Sequence, residues 1–165
     1  MRVFIRKVQP GDEAALAYIQ TQSWKSAFSD ILDKDTLNRC TDINRTTNMY
    51  KKLLEENIGN GYILTLDDRP HCIAWWDAAR DPGQKGKAEL ICIHSLPNNR
   101  QKGYGSMMMD RVLEDIKTSG YPEVVLWVFC DNIRARKFYE AKGFYATELL
   151  KQELGAQEIC YSKTL

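Results

Sequence analysis

A chain of 165 residues, 44% hydrophobic and 27% charged, is large enough to bury its own core and reads as one domain over residues 1–165. Its 23 Lys+Arg stand against 22 Asp+Glu, and a net charge of +1 excludes a global field drawing it to nucleic acid or to a membrane, so any affinity for an anion must be local. The five cysteines, Cys40, Cys72, Cys92, Cys130 and Cys160, have no C-x-x-C pair and no metal-ligand spacing; free thiols in a reducing cytoplasm and no bound metal are expected, with no signal-peptide core and no membrane-spanning apolar run.

Residues 3–8 alternate apolar and charged side chains, Val3 and Ile5 against Arg2 and Arg6, as a half-buried strand does. Pro10-Gly11-Asp12-Glu13 reads as a turn into a helix with an acidic first turn. That helix carries Leu16, Ile19, Trp24 and Phe28 and is interrupted over residues 29–34. A second helix, capped by Asp42, holds Met49, Tyr50, Leu53 and Leu54 and ends at Gly59-Asn60-Gly61. Residues 62–66 form a short strand, Asp67-Asp68-Arg69-Pro70 a turn, and residues 71–78 a second strand with Trp75 and Trp76. After a polar loop over residues 81–86 comes a hydrophobic strand, residues 89–96, broken at Pro97.

The next helix places Met109, Val112, Leu113 and Ile116 at i, i+3, i+4 and i+7, one buried face, and stops at Gly120 before Pro122. Residues 124–129 (VVLWVF) are apolar on both faces, the mark of a central strand. Asn132 caps a helix of Ala135, Phe138 and Tyr139 that ends at Gly143, and residues 144–147 and 159–162 close the chain as strands. The order β-α-α-β-β-β-α-β-α-β-β predicts an α+β (mixed α/β) fold: one mixed, twisted β-sheet flanked by helices.

The stretch between the broken strand and its helix is basic and glycine-spaced: Arg100-Gln101-Lys102-Gly103-Tyr104-Gly105-Ser106. Glycines let the backbone approach a ligand closely, and successive N–H groups before a helix form an anion nest reinforced by the helix dipole. Two other phosphate loops are excluded. The string G-x-x-x-x-G-K-[ST] does not occur, and the third glycine of a dinucleotide fingerprint is replaced by Met108.

Arg100-Gln101-Lys102-Gly103-Tyr104-Gly105 resembles [RQ]-x-x-G-x-[GA], motif A of the GNAT superfamily of acetyl-CoA-dependent N-acetyltransferases. Residues 132–144, from Asn132 through Ala135, Phe138, Tyr139 and Gly143 to Phe144, resemble its second signature, N-x-x-A-x-x-F-Y-x-x-x-G-F. Trp24-Lys25-Ser26-Ala27-Phe28 followed by Ile31-Leu32 is similar to the first-helix region of many bacterial members. The resemblance implies the GNAT (acyl-CoA N-acyltransferase) fold and acetyl-CoA as co-substrate. The pyrophosphate would sit on the backbone of Gln101, Lys102, Gly103, Tyr104, Gly105 and Ser106, supported by Arg100. The strand would splay near Ile93, His94 and Ser95 to hydrogen-bond the pantetheine arm, whose two amides mimic a strand. Asn132 would reach the arm or the thioester, and Arg136 is placed with the cofactor-binding set. The serine at position 95 departs from the branched aliphatic residue common there, which leaves the backbone contact intact.

Amine acetylation needs a base for the ammonium, stabilisation of the carbonyl oxygen and an acid for the leaving thiolate. Tyr139 is the expected acid, set against a plain core tyrosine beside Phe138. Glu89 is the expected base, where some branches of the family place a glutamate, set against a solvated surface carboxylate. His94 is the runner-up base, five residues along the strand and so on the opposite face unless a bulge intervenes. His71 reads as a turn residue at a strand start. Cys92 and Cys130 adjoin apolar strands without a histidine signature and read as inert thiols. Trp24, Phe28 and Trp75 are expected to wall the acceptor site, and alternation forbids Trp75 and Trp76 from both facing it.

The resulting expectation is an N-acetyltransferase that moves an acetyl group from acetyl-CoA to a primary amine of a small molecule by direct attack in a ternary complex. Acetylation of a protein N-terminus or lysine, and a non-catalytic acyl-CoA sensor, are the alternatives. Because many members are dimers, a homodimer is expected, with no nucleic-acid or membrane partner.

Overall fold

A computed structural model describes residues 1–98 and 102–165. Seven strands form one sheet: β1 (Val3–Lys7), β2 (Asn60–Leu66), β3 (Arg69–Ala78), β4 (Ala88–Ser95), β5 (Glu123–Phe129), β6 (Tyr145–Glu153) and β7 (Ala156–Thr164), in the spatial order β1-β2-β3-β4-β5-β7-β6. Helices α1 (Glu13–Ala27), α2 (Lys34–Cys40) and α3 (Ile43–Glu55) lie between β1 and β2, α4 (Tyr104–Thr118) joins β4 to β5, and α5 (Ile133–Ala141) joins β5 to β6. The α+β class and the order of elements along the chain match the sequence expectation, with one helix added. α2 falls just after the predicted break and starts where the Asp33 carboxylate accepts from the Thr36 N–H at 2.9 Å. The last two strands are nine residues each, longer than their apolar cores suggest. The hairpin closes on Leu154 and Gly155, both at positive φ (55° and 81°) as a two-residue primed turn demands.

The sheet has two covered faces. On one, α4 lays Met108, Met109, Val112 and Ile116 against Leu64, Ala74, Trp76, Leu90, Val124 and Leu126. On the other, Leu16, Ala17 and Ile19 of α1 and Tyr50 of α3 pack on Ile63, Ile73 and Trp75. Trp75 and Trp76 therefore divide between the faces. The Trp76 indole donates to Tyr62 Oη (3.0 Å) inside the α4 core, while Trp75 packs against Tyr50 at 5.6 Å between ring centroids.

Two irregularities in β4 make the site. First, β4 and β5, the parallel pair, are joined only at Ala88–Val124 and Glu89–Val125. From Leu90 onward the strands part, although β4 stays paired with β3 as far as Ser95 and β5 with β7 as far as Phe129. The divergence thus begins earlier than the Ile93–Ser95 segment predicted from the resemblance. Second, Trp76 opposes Leu90 and Trp75 opposes Cys92, so Ile91 is an extra residue, a β-bulge. The bulge reverses the alternation, and Glu89, Cys92 and His94 all come to lie on the α1/α3 face. The opposition of Glu89 and His94 that strict period-two counting predicts is corrected in this way.

Candidate active site

The parting of β4 and β5 opens a cavity of about 1140 Å³, walled by α1, α3, the α4 N-terminus, α5 and the β6–β7 hairpin. Its two ends differ in charge. One end holds His71, Lys102, Gly103, Tyr104, Ser106 and Arg134; the other holds Asp77, Asp81, Glu89, Glu153 and Glu158, with Arg80 and Lys151 as the cations set among them.

At the first end, Gly103 has φ +85°, and a Cβ there would meet nothing within 4 Å; its glycine is needed for backbone conformation and not for space. The first helical bond of α4 runs from Met107 N–H to Gly103 O (3.0 Å), which leaves the N–H groups of Tyr104, Gly105 and Ser106 without intrahelical acceptors. Phe138 of α5 lies over Gly105, and Lys142 donates to Ser106 Oγ at 2.8 Å. Arg100 and Gln101 lie outside the described residues. His71 is not a turn residue. It lies within β3, is buried, and meets Tyr104 edge-on at 5.5 Å.

Asn132 spends its side-chain oxygen capping α5, accepting from Ala135 N–H at 3.3 Å, and lines the cavity. Along α5, Arg134 and Phe138, and Ala135 and Tyr139, are i, i+4 pairs on the cavity face. Arg136 falls between them and turns away. Its Nε donates to Tyr161 Oη (2.8 Å) and its Nη1 to the Cys130 carbonyl (2.9 Å), so the sequence assignment of Arg136 to the cofactor set is corrected to a clamp between α5 and the end of β5. Arg134 was missed, although helical spacing from Phe138 points to it.

Tyr139 lines the cavity, and no described residue hydrogen-bonds its hydroxyl. Burial, with a smaller contribution from Cys92, pushes its phenol well above the ordinary tyrosine value and keeps it protonated. The Cys92 thiol is itself pushed up to about 12, chiefly by burial, and stays a thiol. Ile93, His94 and Ser95 line the cavity along the free edge of β4.

At the acidic end, Glu89 is only 3% exposed. It is not the solvated surface carboxylate that one sequence reading allowed, and it is not free. Arg80 grips it three times: Nη2 to Oε2 at 2.7 Å, Nε to Oε1 at 3.2 Å and the backbone N–H to Oε1 at 3.1 Å. His94 is engaged as well. Trp24 Nε1–H donates to His94 Nε2 at 3.3 Å, and burial lowers the imidazole to about 4, so it is neutral at neutral pH. Trp24 stacks edge-on against Phe28, and Phe28 against Phe129, each at 5.0 Å, and together they wall the cavity across α1 and β5.

Trp127 donates to Asp81 Oδ2 at 3.0 Å and carries the Lys151 ammonium 4.3 Å from its ring centroid. Lys151 reaches Glu158 at 4.0 Å. Burial raises the Glu158 carboxyl, partly offset by Lys151. This cluster escaped the sequence because it is assembled from a loop, β5 and the β6–β7 hairpin. Its one local signal was Trp127 within an otherwise aliphatic run. Among the described residues, no group of three or more His, Cys, Asp or Glu side chains could hold a metal ion, and no helix is long and apolar enough to cross a membrane.

A seven-stranded sheet parted between its two parallel strands, with a glycine-led helix N-terminus at the opening, is the architecture of the acyl-CoA N-acyltransferases. The sequence profile of the Acetyltransferase (GNAT) family matches residues 24–144, and the chain belongs to that family. Over 68 residues it is 34% identical to an uncharacterized N-acetyltransferase from Methanocaldococcus jannaschii, a match spanning 39% of this chain and 30% of that relative. A PaiA N-acetyltransferase from Thermoplasma acidophilum, solved in complex with coenzyme A, superposes with a TM-score of 0.82 at 19% identity over 100% of both chains. An acetyltransferase-fold protein from Salmonella typhimurium, solved with its cofactor acetyl-CoA, gives 0.75 at 15% identity over 98% of this chain and 93% of that one. The ribosomal-protein-S18-alanine N-acetyltransferase of Escherichia coli gives 0.73 at 15% identity over 99% and 94%.

Proposed function

We propose that this protein transfers an acetyl group from acetyl-CoA to a primary amine of a small cationic acceptor, by direct attack with both substrates bound. The observation that carries this reading is the polarity of the cavity: a helix N-terminus with Lys102 and Arg134 at one end, and five carboxylates against two cations at the other. An anionic and a cationic substrate would each be drawn to its own end.

The chain's groups fit coenzyme A. The free edge of β4 offers backbone partners to an extended chain bearing amides, and the N–H groups of Tyr104, Gly105 and Ser106 offer an anion site. Bound there, acetyl-CoA supplies the acetyl group as a thioester. Lys102 and the α4 dipole hold the phosphates. Tyr139, kept protonated by burial, donates to the departing sulfur. An acceptor ammonium, held among Asp81, Glu89 and Glu158, has to lose a proton before attack. Glu158, raised by burial, is better matched to take it than Glu89, which Arg80 holds. Cys92 remains a thiol, in keeping with a mechanism that forms no acyl-enzyme. The five unpaired cysteines support a reducing cytoplasm as the working compartment.

Thiol release from acetyl-CoA, measured against a panel of monoamines, diamines, amino acids and peptides, tests the reading. Turnover is expected with small cationic amines. Tight coenzyme A binding without turnover on any amine would point to a sensor, and turnover on peptides alone to a protein acetyltransferase.

A further inference from the structure

His94 sits on the free part of β4, where its position on the strand invites the role of a base. Its hydrogen bonding points the other way. An indole N–H can only donate, so the bond from Trp24 Nε1 at 3.3 Å makes His94 Nε2 the acceptor and occupies its lone pair. In a neutral imidazole the proton then resides on Nδ1. No described residue accepts from Nδ1, and the side chain lines the cavity.

The ring is also held in place. Trp24 lies edge-on to it at 6.4 Å and is itself braced by Phe28, which is braced by Phe129 of β5. An aromatic ladder thus runs from α1 across the gap between the parted strands, and its first rung sets both the orientation and the tautomer of His94. The bulge at Ile91 turns His94 to this face of the sheet.

We propose that His94 is a hydrogen-bond donor, through Nδ1–H, to a carbonyl oxygen of the acyl-CoA lying along the free edge of β4, and that Trp24 is the positioning residue that fixes it in the donating tautomer. The inference rests on the proposed placement of the thioester ligand along β4. It removes His94 from the candidates for general base, because the nitrogen that could take a proton is already bonded. It also gives the Trp24 indole N–H a purpose that aromatic packing alone does not need.

The chain contains two histidines, His71 and His94, so nitrogen-15 NMR of the full-length protein resolves each imidazole, with His71→Gln supplying the assignment. At neutral pH His94 should show a protonated Nδ1 and a bare Nε2, and Trp24→Phe should convert it to a mixture of tautomers. Binding of acetyl-CoA is then compared in His94→Asn, whose amide nitrogen falls near the position of Nδ1, and in His94→Leu. The asparagine variant should stay within about threefold of the parent, and the leucine variant should lose roughly tenfold in affinity, the size of one hydrogen bond. A protonated Nε2 in the parent, or equal affinity in the two variants, overturns the proposal. A parent that does not bind acetyl-CoA at all removes the reading on which the proposal rests. The NMR tautomer is read without ligand, so the two failures are told apart.

Discussion

The two ends of the cavity are built by different means. The cationic end is local in sequence: Lys102, Gly103, Tyr104, Gly105 and Ser106 are consecutive, and the backbone N–H groups proposed to hold the anion are set by one left-handed glycine. The acidic end is non-local. Asp81, Glu89, Trp127, Lys151 and Glu158 come from a loop, two neighbouring strands and a hairpin, and side chains alone make it. A backbone site depends on conformation and tolerates little change, whereas a side-chain site can be retuned residue by residue. Under the proposed function the fixed, backbone-built end takes the acetyl-CoA and the side-chain end takes the acceptor amine.

The comparison can be broken most severely at the junction of the two ends. Tyr139→Phe should lower kcat by about 10²-fold, the loss expected of a general acid, and leave coenzyme A affinity within about twofold; single-turnover thiol release against equilibrium binding separates the two. At the cationic end, Gly103→Asp sets a carboxylate at the helix N-terminus in competition with the pyrophosphate, an effect of up to about 2 kcal/mol. Isothermal titration should find coenzyme A binding weaker by about 30-fold. At the acidic end, Asp81→Asn with Glu158→Gln should raise the KM for a diamine by roughly tenfold and leave acetyl-CoA affinity unchanged. That difference should shrink in high salt.

The smallest effect is on stability. His94 is depressed by burial to about 4, so as pH falls from about 6.5 toward 4 the unfolded chain binds a proton that the folded chain does not. Stability rises with pH through that window and is lost on acidification, by about 1.4 kcal/mol near pH 5.5. Burial depresses His71 in the same direction. Thermal unfolding of His94→Asn should show a flatter dependence than the parent over this range.

Much of this division follows from what a sequence can carry. The helix N-terminus, the cap at Asn132 and the apolar face of α4 are local patterns, and each was legible. Alternation correctly separated Trp75 from Trp76. It failed for Glu89 and His94 because one extra residue, Ile91, reverses the phase of β4, and nothing in its side chain announces a bulge. Arg136 was misplaced because a basic residue within a signature resembles a ligand contact, when its helical phase carries it to Tyr161. The fate of Glu89 depended on Arg80, nine positions earlier across a loop, and no pattern in the sequence pairs them. The near-neutral net charge concealed the segregation of charge, since a sum retains no position.

The central claim is that one cavity holds an anionic substrate at its glycine end and a cationic one at its acidic end, with Tyr139 between them. A crystal structure of the protein with coenzyme A and a diamine tests it most directly. Pyrophosphate density is expected on the backbone N–H groups of Tyr104, Gly105 and Ser106, and an ammonium among Asp81, Glu89 and Glu158. Diamine density outside the cavity, or a pyrophosphate away from the α4 N-terminus, would contradict it.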